Sequence, residues 1–179
     1  LKDVLNKLME FKDEFRVRIS SIEPSSIIHL ITNQMKTHDR ICRYLHIPLQ
    51  SGSNTILKKM NRKYLKEDFE TLVKKSIQKL PDLCIGTDII VGFPGETDAL
   101  FSETYDFIKS APFSYLHVFS YSPRPNTKSF FWENTLSKET IKKRSLLLRN
   151  LSFEKRKSFI ESMLGTKRIV LFEQKKKDE

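Results

Sequence analysis

The feature that most constrains this chain is a recurrence. Four strand-like runs, each followed by a helical pattern, begin at intervals of roughly 27 to 40 residues along the 179-residue sequence. They are Phe15 to Ile22, Cys42 to Leu49, Leu83 to Val91 and Tyr115 to Tyr121. Strands and helices alternating in this way make βαβ units, hence an α/β fold with a parallel sheet and right-handed crossovers. All four strand C-termini then point the same way. Polar residues gather just past those ends: Ser20 with Glu23, Gln50 with Ser51 and Ser53, Gly92 with Glu96, and Ser122 with Arg124. In barrels and in open parallel sheets, that rim is where ligands bind.

The third connection, GTDIIVGFPGET from Gly86 to Thr97, shows the design most fully. A β-branched apolar run ends in a Gly-Pro-Gly turn, in which Gly92 and Gly95 permit left-handed angles and close approach, while Pro94 stiffens the backbone between them. Glu96 either accepts a hydrogen bond from a ligand or favours the N-terminus of the next helix. No Lys-Ser/Thr pair follows the glycines, so this is not a nucleotide-triphosphatase loop. The second connection, HIPLQSGSN, offers hydroxyls, an amide and a glycine turn suited to a neutral polyol such as ribose. The same residues would cap a helix starting near Ile56, and spacing alone leaves both readings open. His46 and His117 lie inside strands with no metal-ligand spacing between them, and read as core histidines.

Helical spacing predicts further segments over Leu1 to Phe11, Ser25 to Lys36, Ile56 to Met60, Phe69 to Leu80 and Leu100 to Ile108. A long helix is expected from an N-cap at Ser137 to Leu164, with a bend near Asn150 to Ser152 and Gly165 at its C′ position. The run RIVLFE then reads as a further strand and KKKDE as a solvated tail. The chain opens inside an amphipathic helix with no N-cap, which is the expected appearance of a piece of a longer protein.

Charge limits the partners. Lys and Arg number 32 against 22 Asp and Glu, a net charge of +10 that favours an anionic partner, with nucleic acid first and a membrane surface second. No apolar run approaches the roughly 18 residues of a membrane span, so a cytoplasmic protein is expected. The segment from Lys138 to Arg168 is densely basic, with Lys142, Lys143, Arg144, Arg149, Lys155 and Arg156 among its cations. It is either a solvated helix face or an RNA-backbone contact. Cys42 and Cys84 show neither redox nor metal spacing and read as core thiols.

Taken together, RISSIEP (18–24), HIPLQSGSN (46–54), KKMNRKY (58–64), TDIIVGFPGET (87–97) and LHVFSYSPRPNT (116–127) resemble the methylthiotransferase branch of the radical S-adenosylmethionine (SAM) enzymes. SSIEP and LHVFSYSPRP look most like the tRNA enzymes acting at C2 of N6-threonylcarbamoyladenosine. The resemblance implies a partial (half) TIM-like barrel of about four parallel βα units over residues 1–165. Residues 166–179 would start an RNA-binding β-barrel or form a disordered tail. It implies SAM as cofactor, bound by Ser20, Glu23, Gln50, Ser51, Gly52, Ser53, Ile90, Gly92, Glu96 and Val118. tRNA would meet Arg124, Lys142, Lys143, Arg149 and Arg156. In such enzymes SAM is cleaved to a radical beside an iron–sulfur cluster, and sulfur inserted into the adenine is methylated from a second SAM.

Two departures from the family pattern stand out. Asn126 and Lys128 replace a glycine and a proline of the usual loop, and the three-cysteine cluster motif is absent. The expectation is therefore a fragment of such an enzyme, inactive alone and bearing an open sheet edge at Phe15 to Ile22 through which copies would associate. The alternatives are a ribosomal-protein methylthiotransferase and a non-catalytic RNA- or nucleotide-binding module.

Overall fold

A computed structural model describes residues 1–133 and 136–168. Its elements are α1 (Lys2–Glu10), α2 (Ile27–Thr37), β1 (Tyr44–His46), α3 (Asn54–Lys59), α4 (Lys66–Lys79), β2 (Cys84–Val91), α5 (Asp98–Ser110), β3 (Tyr115–Ser120), a 3-10 turn (Lys128–Phe131) and α6 (Lys138–Glu161). The three strands lie side by side in chain order, all parallel, with α3 and α4 crossing from β1 to β2 and α5 crossing from β2 to β3. This is the parallel α/β arrangement expected of a partial barrel.

The segment Phe15 to Ile22 differs from the expected strand. It touches the sheet through two isolated parallel bridges, Val17 to Ile41 and Ser21 to His46. Four residue steps on one side thus face five on the other, so the register slips by one and a continuous ladder cannot form. Regular pairing of β1 likewise stops early. Pro48 has no amide to donate, and Gln50 takes a left-handed φ of 75°. The Thr87 hydroxyl makes good the loss by donating to Ile47 O (2.7 Å) and accepting from Leu49 N (3.0 Å).

Period-two alternation gives the sheet two unlike faces. One carries Leu45, Ile47, Ile85, Ile89, Val91 and Leu116, buried beneath Ile28, Ile31 and Met35 of α2, Phe69 and Val73 of α4, Ile108 of α5, and Leu148 and Leu151 of α6. The other carries Tyr44, His46, Asp88, Ile90, Tyr115, His117 and Phe119, and both His117 and Phe119 are exposed.

The long helix α6 runs unbroken through Asn150 to Ser152, where a bend was expected. Ser152 is turned instead onto β3, donating to Leu116 O (2.9 Å) and accepting from Leu116 N (2.8 Å). Ser137 caps the helix by accepting from Thr140 N at 3.0 Å, but the helix ends at Glu161, three residues short of the expected Leu164, so Gly165, with φ 75°, lies beyond its C′ position. The expected RIVLFE strand lies almost entirely outside the described residues.

Candidate functional site

The rim begins where β2 ends. Gly92 and Gly95 hold φ of 79° and 87°, turning the chain back so that the Glu96 carboxylate accepts from Gly92 N at 3.1 Å. Glu96 is 4% exposed and is also met by Arg144 of α6, whose Nη1 lies 2.5 Å from its Oε1 while Nη2 reaches Asp98 at 2.5 Å. Burial pushes the Glu96 carboxyl above its ordinary range, against the pull of Arg144 and the Gly92 amide. Glu96 therefore holds the turn against α6.

The second rim segment is pinned to the first. Gln50 donates its amide to Asp88 O (2.7 Å), and its carbonyl accepts from Ile90 N (2.9 Å). A non-glycine residue held at positive φ by two such bonds is a strained position of the kind that clusters at ligand sites. Ser51, Gly52 and Ser53 are buried behind it. Ser51 shares a hydrogen bond with Thr104 of α5 at 3.2 Å, and a Cβ on Gly52 would meet the Thr104 Cα at 2.9 Å, so only glycine fits there.

Beside this turn, Lys66 pairs with Glu103. Burial raises the Glu103 carboxyl, but Lys66 outweighs it and holds the group below its ordinary value of 4.5. A depressed carboxylate contributes stability above its unfolded pKa and loses it as pH falls through the folded one. The stability gap between wild type and Glu103→Gln, followed by urea titration, is therefore expected to be widest at neutral pH. It should shrink below about pH 4.5; a gap that does not change with pH would refute the assignment.

At the C-terminal ends of β2 and β3 a cavity of about 500 Å³ opens, lined by Gln50, Asp88, Ile90, Phe93, Phe119, Ser120, Tyr121, Ser122 and Arg124 with Thr127 and Ser129. Aromatic faces and hydroxyl, amide and guanidinium groups in one cleft of this size suit a nucleoside-like ligand. The wall is firm: Phe93 stands edge-on to Tyr121 (5.1 Å) and Trp132 (5.9 Å), and the Tyr121 hydroxyl donates to Ser129 O (3.1 Å). Asn126, where the resemblance leads one to expect glycine, has a φ of 69°, a left-handed conformation that asparagine tolerates.

Of the expected site residues, Gln50, Ile90 and Arg124 meet at this cavity. Ser51, Gly52, Ser53, Gly92 and Glu96 form the turns behind and beside it. Ser20 is exposed on the bridging segment, and Glu23 is paired with Arg62 at 3.0 Å. Val118 pairs in register with Ile89, so it shares the helix-covered face, while Phe119 takes the place beside Ile90. On α6, Lys142, Lys143, Arg149 and Arg156 are exposed. Arg144 is buried, and Lys155 is half-buried, donating to Ala111 O (2.7 Å) with its pKa lowered by burial. Neither of these two belongs to a solvent-facing basic surface.

Sequence reasoning missed the polar cluster on the open face. His46 Nε2 lies 2.8 Å from Asp88 Oδ1, and His117 Nδ1 lies 3.4 Å from the same oxygen. His46 Nδ1 meets the Tyr115 hydroxyl at 3.1 Å, and that hydroxyl meets Tyr44 at 2.6 Å. Arg18 lies over the Tyr44 ring at 3.9 Å. The available signal was the alternation in RYLHIP and SYLHVF, which puts Tyr and His of both strands on one face.

A three-stranded parallel sheet covered by helices defines a partial-barrel α/β class, and comparison with known proteins agrees on that fold. The family model of the radical SAM superfamily matches residues 2–108, and the chain belongs to that superfamily. Among curated relatives, the threonylcarbamoyladenosine tRNA methylthiotransferase MtaB of Bacillus subtilis is 49% identical over 127 residues, 71% of this chain and 28% of the relative. MtaB of Thermotoga maritima is 38% identical over 173 residues, 97% of this chain and 40% of the relative. The tRNA-2-methylthio-N(6)-dimethylallyladenosine synthase of Endomicrobium trichonymphae is 37% identical over 171 residues, 96% and 41% respectively. The chain thus spans well under half the length of these relatives. Among solved structures, coproporphyrinogen III oxidase (HemN) from Escherichia coli, titled a radical SAM enzyme, superposes with a TM-score of 0.61 over 90% of this chain and 37% of that one, at 16% identity, a likeness of fold.

The superfamily implies SAM and an iron–sulfur cluster. The cavity and its donors fit the nucleoside part of SAM. A four-iron cluster takes thiolate ligands, and this chain has only Cys42 and Cys84, with burial pushing the Cys84 thiol up. The residues present do not make a cluster site.

Proposed function

We propose that this chain is the part of a tRNA methylthiotransferase that holds SAM and faces the tRNA, the parent enzyme acting at C2 of N6-threonylcarbamoyladenosine next to the anticodon. The observation that carries this reading is the 38% identity to the T. maritima MtaB protein across 97% of the chain. SAM, when bound, supplies both radical-forming and methyl-donating chemistry. The chain's own residues bind and orient it. Phe93, Phe119 and Tyr121 offer apolar surface to the adenine and exclude water, and Gln50, Ser120 and Ser122 offer hydrogen bonds to the ribose.

Arg124 at the cavity wall and the exposed Lys142, Lys143, Arg149 and Arg156 of α6 face the RNA backbone. Lys142, Arg149 and Arg156 recur at seven-residue spacing and so form one stripe along the helix. With no cluster ligands of its own, the chain alone is inactive. Its place of action is the cytoplasm, where its tRNA substrate is.

The test is nucleoside mass spectrometry of tRNA from cells in which the gene is deleted. Loss of the 2-methylthio group from threonylcarbamoyladenosine is expected. Loss from dimethylallyladenosine instead would assign the parent to the second kind of relative, and an unchanged profile of both would overturn the proposal.

A further inference from the structure

We infer that His46, Asp88 and His117 form a binding site for one divalent transition-metal ion of the zinc type on the open face of the sheet. Each strand supplies one ligand. The parallel register sets Asp88 beside His117 and places His46 one pleat away, so that the three donor atoms lie within 4.8 Å of one another. Two imidazoles and a carboxylate are a borderline donor set that leaves coordination positions open, as in zinc and non-haem iron sites. Metal–ligand bonds of about 2.0–2.1 Å at a tetrahedral angle separate neighbouring ligands by about 3.3 Å. The His117 to Asp88 separation of 3.4 Å already matches, the 2.8 Å between His46 and Asp88 has to open by about half an ångström, and the two imidazoles, within 4.8 Å of each other, close on the ion by rotation of the exposed His117 ring.

The surroundings are those of a built site. A metal-binding histidine is oriented by a hydrogen bond from its other ring nitrogen, and His46 has one at 3.1 Å to Tyr115. Tyr115 reaches it only because position 86 is glycine: a Cβ there would lie 2.1 Å from the tyrosine ring carbon that bears the hydroxyl. The Tyr115 hydroxyl is itself held by Tyr44 at 2.6 Å. The charged side chains nearest this face are Arg18, over the Tyr44 ring at 3.9 Å, and Arg156, both lining one cavity with Tyr115 and His117. Asp88 also lines the nucleoside-sized cavity, while His117 lines a neighbouring one with Tyr44 and Tyr115, so the ion would stand between the two. The inference rests on this geometry and stands independently of the tRNA reading.

The test is a titration of the EDTA-stripped chain with Co²⁺, read by its visible absorption bands, followed by competition with Zn²⁺. One saturable Co²⁺ per chain, displaced by Zn²⁺, is expected. His117 is exposed, so His117→Ala should fold normally and weaken binding by about a hundredfold, and Asp88→Asn should do the same; Tyr115→Phe, which keeps all three ligands, should weaken it about tenfold. Absence of a saturable site, or His117→Ala and Asp88→Asn proteins that bind Co²⁺ as the parent does, would overturn the inference and leave the cluster a hydrogen-bonded network.

Discussion

Replacing Arg144 by methionine is expected to lower the free energy of unfolding by about 3–5 kcal/mol, among the largest effects of any single substitution in this chain. The guanidinium is 4% exposed and serves Glu96 and Asp98 at 2.5 Å each while lying 5.1 Å over the Phe101 ring. Asp98 sits in water and can be rehydrated when the arginine goes. Glu96 cannot, because the turn buries it, and removing one partner of a buried pair leaves the other uncompensated. The double variant Glu96→Gln, Arg144→Met should recover much of the loss, since no buried charge then remains. Urea denaturation of the three variants checks this, and a loss below about 1 kcal/mol in Arg144→Met would show the pair to be dispensable.

Gly86→Ala is expected to be the next most damaging, at about 1–3 kcal/mol from overpacking. The new methyl group would meet the Tyr115 ring at between 2.1 and 2.6 Å, so the ring must swing away, losing its hydrogen bonds to Tyr44 and His46. The cause can be isolated. In a Tyr115→Ala background the clash is gone, and adding Gly86→Ala should then cost no more than a few tenths of a kcal/mol. Equal costs in both backgrounds would mean that the glycine is needed for its backbone and not for the ring.

The fold was legible because it is written in periodicities. Strand runs and helical stripes survive in a single sequence, and α4, β2, α5 and β3 fall within a few residues of where spacing puts them. What escaped depends on partners. The bridge segment at Phe15 to Ile22 has the alternation of a strand, but a register slip against Ile41 to His46 is a property of the pair.

His46 and His117 looked like isolated strand histidines because only the register between strands shows that they converge on Asp88. Arg144 and Lys155 were counted with the basic residues of α6, although both fall on its buried stripe with Leu148 and Leu151, at spacings of four, three and four. That stripe was readable. Long aliphatic stems let basic residues sit on such a stripe, and composition conceals which of them do.

Ser152 has a consequence for how the sheet can grow. By answering both the amide and the carbonyl of Leu116, it occupies the groups on β3 that an incoming strand would need at that point. At Leu116 the β3 edge is therefore closed to a further strand, whereas on the opposite side the Phe15 segment meets the sheet through two isolated bridges and forms no regular ladder among the described residues.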